Sequence, residues 1–395
     1  MRILLVHNYY RRGNPGGEDF VFEQERDLLQ EAGHSVLCYT RSNDEVSEDR
    51  TADRVRVALG MQRSRRTRRE MRSLIAEFLP DVAHFHNTFP LISLSAYLVC
   101  KELRVPIVQT LHNYRYSCAA ATHFRKGGAC EACSVLNPLP AAINRCYRSS
   151  FLGSSAVALM MLRNDLSGVF RSCVTRFVVM TEFARLRLER FGVDPGQIFI
   201  KPNFVQLNAE PHQSTKSFCL FAGRLSDEKG LWVLLDAWRK LPDVPLKIVG
   251  DGPLAVALQD VCRQEGLTVE FLGMQSRGTV ARLMQEARAL VFPSLWYECM
   301  PLTILEAWAA GAPVIASDLG AMSEMISDGK NGLLFRAGSS DDLVEKVRLI
   351  TSDSALAESI STVARRLAVA RHGRNENLDL LHEVYRQAIA DREVG

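Results

Sequence analysis

Two carboxylates eight residues apart, Glu298 and Glu306, could do chemistry together in this sequence. They lie in Phe292 to Asp318, F-P-S-L-W-Y-E-C-M-P-L-T-I-L-E-A-W-A-A-G-A-P-V-I-A-S-D. Glu298 falls in a loop after the apolar, strand-like run Ala289 to Phe292. Glu306 falls inside a helix expected to begin near Pro301, because proline suits the first helical position, whose N–H is unpaired anyway. Gly311 reads as the C-cap and Pro313 to Ala316 as the next strand. A helix start offers unpaired N–H groups and partial positive charge, a seat for phosphate or diphosphate. A carboxylate can accept two hydrogen bonds from a diol such as ribose. The segment can thus seat a sugar at Glu298, a diphosphate at the helix start and a ribose at Glu306. The plainer alternative makes Glu298 a helix cap and Glu306 a solvated residue, but Ile304, Leu305, Ala307 and Trp308 give that helix a mostly buried pattern.

Cations stand upstream. Phe218 to Ala222 reads as a strand, followed by Gly223-Arg224-Leu225-Ser226-Asp227-Glu228-Lys229-Gly230 and a helix with Leu231, Leu234, Leu235 and Trp238 on one face. Arg224 at the strand end and Lys229 beside the helix start can neutralise a diphosphate without a metal ion. Leu246 to Val249 and Val269 to Leu272 are further strands, and a nucleotide base fits past their carboxyl ends.

The first half repeats the alternation of strands and helices. Arg2 to His7 is a strand, Asn14-Pro15-Gly16-Gly17 a loop, and Glu18 opens an amphipathic helix before the strand Ser35 to Thr40. This is a Rossmann-like unit without the G-x-G-x-x-G fingerprint, which counts against a nicotinamide dehydrogenase. The strands Val82 to Phe85 and Val105 to Leu111 end at His86-Asn87 and His112-Asn113, and polar residues past parallel strand ends face the ligand crevice of such sheets. A metal site is one reading of these histidines, but they lie on separate strands and histidine is common in ordinary cleft walls, which is the preferred reading. Ser154 to Leu162 reads as a buried helix.

At 395 residues the chain predicts two domains. Its 47% hydrophobic and 24% charged content is that of an ordinary soluble protein, and net charge +3 decides little. No apolar run of about 18 residues predicts a membrane-spanning helix, and Met1 to His7 is too short for a signal peptide. Ten cysteines without an export signal imply reduced thiols in a cytosol, or metal binding. Cys130-x2-Cys133, with Cys118 and Cys146 on either side, has the composition of a structural zinc site; buried reduced thiols or a redox pair are the alternatives. The basic residues Arg63, Arg65, Arg66, Arg68, Arg69 and Arg72 read either as a solvated helix face or as a patch for anionic lipid, at roughly 1 kcal/mol per basic residue near such a surface. Nucleic acid is disfavoured, since no aromatics interleave with the charge.

The Glu298-x7-Glu306 spacing, running on into A-x-A-x-G-x-P-V, resembles the donor-site motif of glycosyltransferase family 4, retaining enzymes of the GT-B fold. His112-Asn113-Tyr114-Arg115, Cys130-Glu131-x-Cys133 and Arg145-Cys146-Tyr147-Arg148 resemble the loop of one subgroup. Many members have glycine where this chain has Pro301, so Leu302 and Thr303 must supply the phosphate-binding N–H groups. The resemblance implies two Rossmann-like domains facing across a cleft: residues 1–205 with the cysteine loop 118–146, then 206–372, then a helix, 373–395, crossing back. It implies transfer of a sugar, with retention, from a nucleotide-diphosphate sugar to a glycan or lipid-linked hydroxyl acceptor, without a catalytic metal. The roles it implies are Glu298 and His112 on the transferred sugar and Glu306 on ribose. Gly223, Arg224, Lys229, Leu272, Leu302 and Thr303 line the rest of the donor site, and Gly16 and Gly17 let a donor phosphate or acceptor approach the backbone. A sugar-nucleotide epimerase and a non-catalytic sugar-nucleotide-binding protein are the rival functions. The expected location is the cytoplasm, at the membrane face if the arginine patch docks there.

Overall fold

Runs of aliphatic residues build the strands. In β1 (Arg2–Tyr9), Ile3, Leu4, Leu5 and Val6 are all fully buried, as happens where a parallel sheet is covered on both faces. The computed structural model describes residues 1–11, 16–46, 57, 60, 63–206 and 216–394. It divides into two units. Met1–Thr122, Glu131–Pro202 and Asn377–Gly395 form the first, and His123–Cys130 with Asn203–Glu376 the second. The expected domain boundary at residues 205 and 206 borders residues 207–215, which lie outside the described residues.

The first unit holds β1, β2 (Ser35–Ser42), β3 (Val82–Phe85), β4 (Ile107–Thr110), β5 (Arg176–Val179) and β6 (Ile198–Ile200) in one parallel sheet of order β2-β1-β3-β4-β5-β6. Phe85 pairs with Gln109, so β3 and β4 end in step and deliver His86 and His112 at neighbouring carboxyl ends. Helix α1 (Gly17–Glu31) is started by Asp19, whose carboxylate accepts from the N–H of Gly16 at 3.1 Å. Helix α2 (Arg65–Phe78) carries most of the described basic stretch, and much of its charge is already paired: Arg66 with Glu70 and Glu45, Arg68 and Arg72 with Glu102. The last helix, Arg374–Val394, buries Leu381, Val384, Tyr385 and Ala388, and Tyr385 Oη lies 2.7 Å from His84 Nδ1.

The cysteine loop differs from its expectation. It contains a short helix, α3 (Leu139–Ile143), and its segment His123–Cys130, with the two-stranded ribbon Phe124–Arg125 and Gly128–Ala129, is grouped with the second unit. Helix α4 (Phe151–Ser167) is longer than expected and not buried all round: Leu152, Leu159 and Leu166 are exposed. Its residues are apolar on every side, so periodicity could not tell the covered face from the bare one.

The second unit holds β7 (Phe218–Ala222), β8 (Leu246–Val249), β9 (Val269–Gly273), β10 (Ala287–Phe292), β11 (Val314–Asp318) and β12 (Leu333–Arg336), parallel in the order β9-β8-β7-β10-β11-β12. Leu231, Leu234, Leu235 and Trp238 of α5 (Leu231–Trp238) enter one core with Ile248, Val291, Ile315 and Phe335; burying each such side chain stabilises by about 1.5–3 kcal/mol. Helix α6 (Leu302–Ala309) begins one residue later than expected. Pro301 is its N-cap, with φ −71° and ψ 114°, because the ring fixes only φ and leaves ψ free to stay extended. No helix among the described residues is long and apolar enough to cross a membrane.

Candidate functional site

In the second unit, two loops are stitched together and bring Lys229 to Glu298. Leu295 donates its N–H to the carbonyl of Glu228 at 2.8 Å. Gly230 has φ +71°, and a Cβ there would come within 1.9 Å of the Pro293 carbonyl oxygen, so no other residue fits without moving backbone. Lys229 Nζ then lies 2.7 Å from Glu298 Oε1, and Ser294 Oγ and Trp296 Nε1 donate to the same oxygen, each at 2.7 Å. Glu298 is buried. The ammonium also sits over the rings of Phe292 and Trp296, 5.5 and 5.2 Å from their centroids.

Arg224 follows β7 at Gly223, on a loop held backbone to backbone. A Cβ on Gly250 would meet the Gly223 carbonyl oxygen at 1.9 Å, and one on Gly252 the Leu225 carbonyl oxygen at 2.4 Å. The Arg224 side chain is exposed. At the start of α6, Leu302 and Thr303 hold the first helical N–H groups, which lack intrahelical acceptors. Glu306 is half-buried, with Arg277 Nη1 3.4 Å from its Oε1. Burial pushes its carboxyl up, and the Arg277 charge pulls it back down. Leu272 is half-buried in β9, its carbonyl accepting from Gln275 Nε2 at 2.6 Å. Arg224, Lys229, Leu302, Thr303, Leu272, Glu298 and Glu306 therefore all belong to one unit.

In the first unit His112 stacks on His86, with ring centroids 5.1 Å apart and 15° between planes, and its Nε2 lies 2.9 Å from His86 Nδ1. Behind them, Glu25 Oε2 is 3.6 Å from His86 Nε2, and Glu25 Oε1 accepts from Lys201 Nζ at 2.6 Å. A carboxylate on that side favours the proton on His86 Nε2. His86 Nδ1 then accepts from His112 Nε2–H, which leaves His112 Nδ1 as a bare acceptor. Burial first, then the neighbouring histidines and Lys201, push both imidazoles well below their ordinary range, so both are neutral.

Glu25, His84 and His86 bring ligand atoms within 4.8 Å of one another, yet they do not suit a cation. Both His84 nitrogens are already hydrogen-bonded, to Tyr385 and Thr110, and the Lys201 ammonium occupies Glu25.

His112 and Asn113 line a cavity of about 150 Å³ that also takes in Glu18, Arg115, Met160 and Phe191. Glu18 is buried; Asn113 Nδ2 donates to its Oε2 at 3.0 Å, and the Tyr10 hydroxyl is a further hydrogen-bonding neighbour of this carboxyl. Burial pushes this carboxyl up. Among the described residues a Cβ on Gly17 would meet nothing within 4 Å, whereas one on Gly16 would strike the Tyr10 ring at 2.7 Å. A larger residue at Gly16 would have to displace the Tyr10 ring, whereas no described residue crowds Gly17.

Sequence reasoning missed Ser294 and Trp296 as partners of Glu298, Arg277 as the partner of Glu306, and Glu18 as a cavity carboxyl. Only Glu18 carried a signal, its place beside the glycine pair.

The four cysteines are half-buried. Cys133 and Cys146 pack on an apolar cluster that includes Ala119, Val157 and Met161.

Residues 205–367 match the family described as Glycosyl transferases group 1, and residues 16–209 match Glycosyltransferase Family 4. A sulfoquinovosyl transferase of Arabidopsis thaliana is 27% identical over 330 residues, which are 80% of this chain and 59% of that protein. The chain thus spans less than two thirds of that relative's length. A phosphatidyl-myo-inositol mannosyltransferase of Mycolicibacterium smegmatis is 28% identical over 384 residues, 90% of this chain and 86% of the relative. Among solved structures, the Anabaena HepE protein in complex with UDP matches with a TM-score of 0.69 at 18% identity, covering 98% of this chain and all of that one (100%).

Proposed function

Because the chain is built from the two domains of the GT-B glycosyltransferases, we propose that it moves a hexose-type sugar from a nucleotide-diphosphate sugar to a hydroxyl acceptor, with retention at the anomeric carbon. The observation that carries this reading is the Lys229–Glu298 contact of 2.7 Å beside the N-terminus of α6. In it a cation for a leaving diphosphate is fixed next to a carboxylate for the sugar it leaves.

In the proposed reaction the bond from the anomeric carbon to the diphosphate oxygen breaks and its electron pair departs with the diphosphate, while the acceptor's hydroxyl oxygen bonds to that carbon from the same face and gives its proton to the departing diphosphate oxygen. Arg224, Lys229 and the N–H groups of Leu302 and Thr303 stabilise that charge, with no metal ion in the step. Glu306 accepts from the ribose hydroxyls, and His112 Nδ1 accepts from a hydroxyl of the transferred sugar. Glu298 Oε1 already receives three hydrogen bonds, which lowers its nucleophilicity and suits positioning of the sugar better than covalent attack. The cavity beside His112 would take the acceptor, a glycan or a lipid-linked hydroxyl compound in cell-surface glycan synthesis, which would place the work at the cytoplasmic face of a membrane. UDP in HepE, and UDP-glucose in the same protein, makes uridine diphosphate sugars the first donors to try.

The test is a thermal-shift screen of nucleotide sugars, then incubation of the best donor alone and with candidate acceptors. Proton NMR of the product should show the donor's anomeric configuration kept. Isomerised donor in the absence of acceptor would instead make the protein an epimerase, and binding without any turnover would make it a non-catalytic binder. The reading extends to a structural zinc held by the thiolates of Cys118, Cys130, Cys133 and Cys146.

A further inference from the structure

Helix α4 has two unlike faces. On one, Met160, Met161, Asn164 and Asp165 line the cavity beside His112. On the other, Leu152, Leu159 and Leu166 are 81%, 47% and 69% exposed. Their spacing of seven residues, close to two helical turns, stacks them along one stripe. Phe151 is exposed at the start of the same helix, and Leu136, Leu139 and Ile143 are exposed on and before α3, which packs against α4. Single exposed apolar side chains are ordinary, but this many large ones on two packed helices mark an interaction surface.

The charge around them names the partner. From Ala132 to Asn164 there is no aspartate or glutamate, and the only charged residues are Arg145, Arg148 and Arg163, all exposed. Arg163 lies eleven residues, close to three turns, beyond Leu152 and so shares the leucine stripe. We propose that the α3–α4 face docks on an anionic lipid bilayer. Leucine and phenylalanine enter the acyl boundary, and the arginines reach the phosphate level on their long stems.

Helix α2, the other basic candidate, is built differently. It turns Met71 and Ile75 into the core, and Arg66, Arg68 and Arg72 are held in pairs within the unit. Docking through α4 would set the cavity about 10 Å, one helix diameter, from the lipid surface. That suits a lipid-linked acceptor, a consequence that rests on the acceptor reading above; the docking itself does not.

The experiment is flotation of the full chain with phosphatidylcholine vesicles, with and without phosphatidylglycerol. Binding should require phosphatidylglycerol and weaken with salt. It should fall about tenfold or more in Leu152→Glu/Leu159→Glu and in Arg145→Glu/Arg148→Glu/Arg163→Glu, while Arg65→Glu/Arg69→Glu in α2 changes it little. Melting temperatures near wild type would show the variants folded, and Leu152→Ser/Leu159→Ser is the milder pair if the glutamates are not tolerated. Equal binding by the leucine variants, or no binding to either vesicle, would overturn the proposal. A wild-type dimer that Leu152→Glu turns into monomer would overturn it too, since a second copy would then cover the face. Failure to glycosylate any lipid-linked acceptor would count against the acceptor reading and leave the flotation result standing.

Discussion

Lys229 Nζ and Glu298 Oε1 are 2.7 Å apart, so the proposed phosphate cation and the proposed sugar carboxylate neutralise each other before any donor arrives. The donor's diphosphate must compete with Glu298 for Lys229. Glu298→Gln keeps a carbonyl oxygen for Ser294 and Trp296 but removes that competition. A free nucleoside diphosphate should bind this variant at least as tightly as wild type, while turnover falls by roughly a hundredfold to a thousandfold, as for loss of a transition-state contact. Calorimetry and initial rates check both. Weakened diphosphate binding with unchanged turnover would reverse the assigned roles.

The buried histidines predict an acid-sensitive fold. Burial first, with the Lys201 charge beside it, pushes His84 down to about 3, and His86 and His112 are also well below their usual range. The native state keeps all three neutral, whereas the unfolded chain takes up protons near pH 6.5. Below that pH the unfolded state binds more protons, so their stability contribution, complete above pH 6.5, is lost as pH falls. Glu18 and Glu306, with raised carboxyls, act in the opposite sense: their contribution is complete below about pH 4.5 and is lost as pH rises above it. Urea midpoints should drop from pH 7.5 to 5.5, and His84→Gln should remove up to about 1.4 kcal/mol per pH unit from the slope. A flat profile would contradict this.

Much of the second unit was legible because its signals are local. The run from Ala289 through Pro301 and Gly311 to Ala316 announces strand, loop, helix and strand in order, and Gly223 to Gly230 announces another such turn. What contacts Glu298 was not legible in full, since Lys229 reaches it from 69 positions away. The chain Lys201–Glu25–His86–His112 was equally hidden, because it assembles side chains from α1, from the segments just past β3 and β4, and from the residue after β6. Pro301 was placed one position too far into its helix because its φ suits cap and helix alike. The grouping of His123–Cys130 with the second unit is a matter of long-range packing that no local pattern encodes.

Zinc in the cysteine loop is checked by metal analysis of untagged protein with a native thiol count. The proposal expects about one zinc per chain, as in four-thiolate structural sites, lost in Cys130→Ser/Cys133→Ser together with the loop's resistance to protease. Metal-free, fully active protein whose four loop thiols all react would end it.

The most direct test of the central claim is calorimetric titration of uridine diphosphate, then other nucleoside diphosphates, into chelator-treated protein. Saturable binding of one nucleoside diphosphate is expected without divalent metal, weakened about tenfold to a hundredfold by Arg224→Ala, a charge-assisted contact, and also weakened by Glu306→Ala. Binding that appears only with magnesium, or that is indifferent to both substitutions, would contradict it.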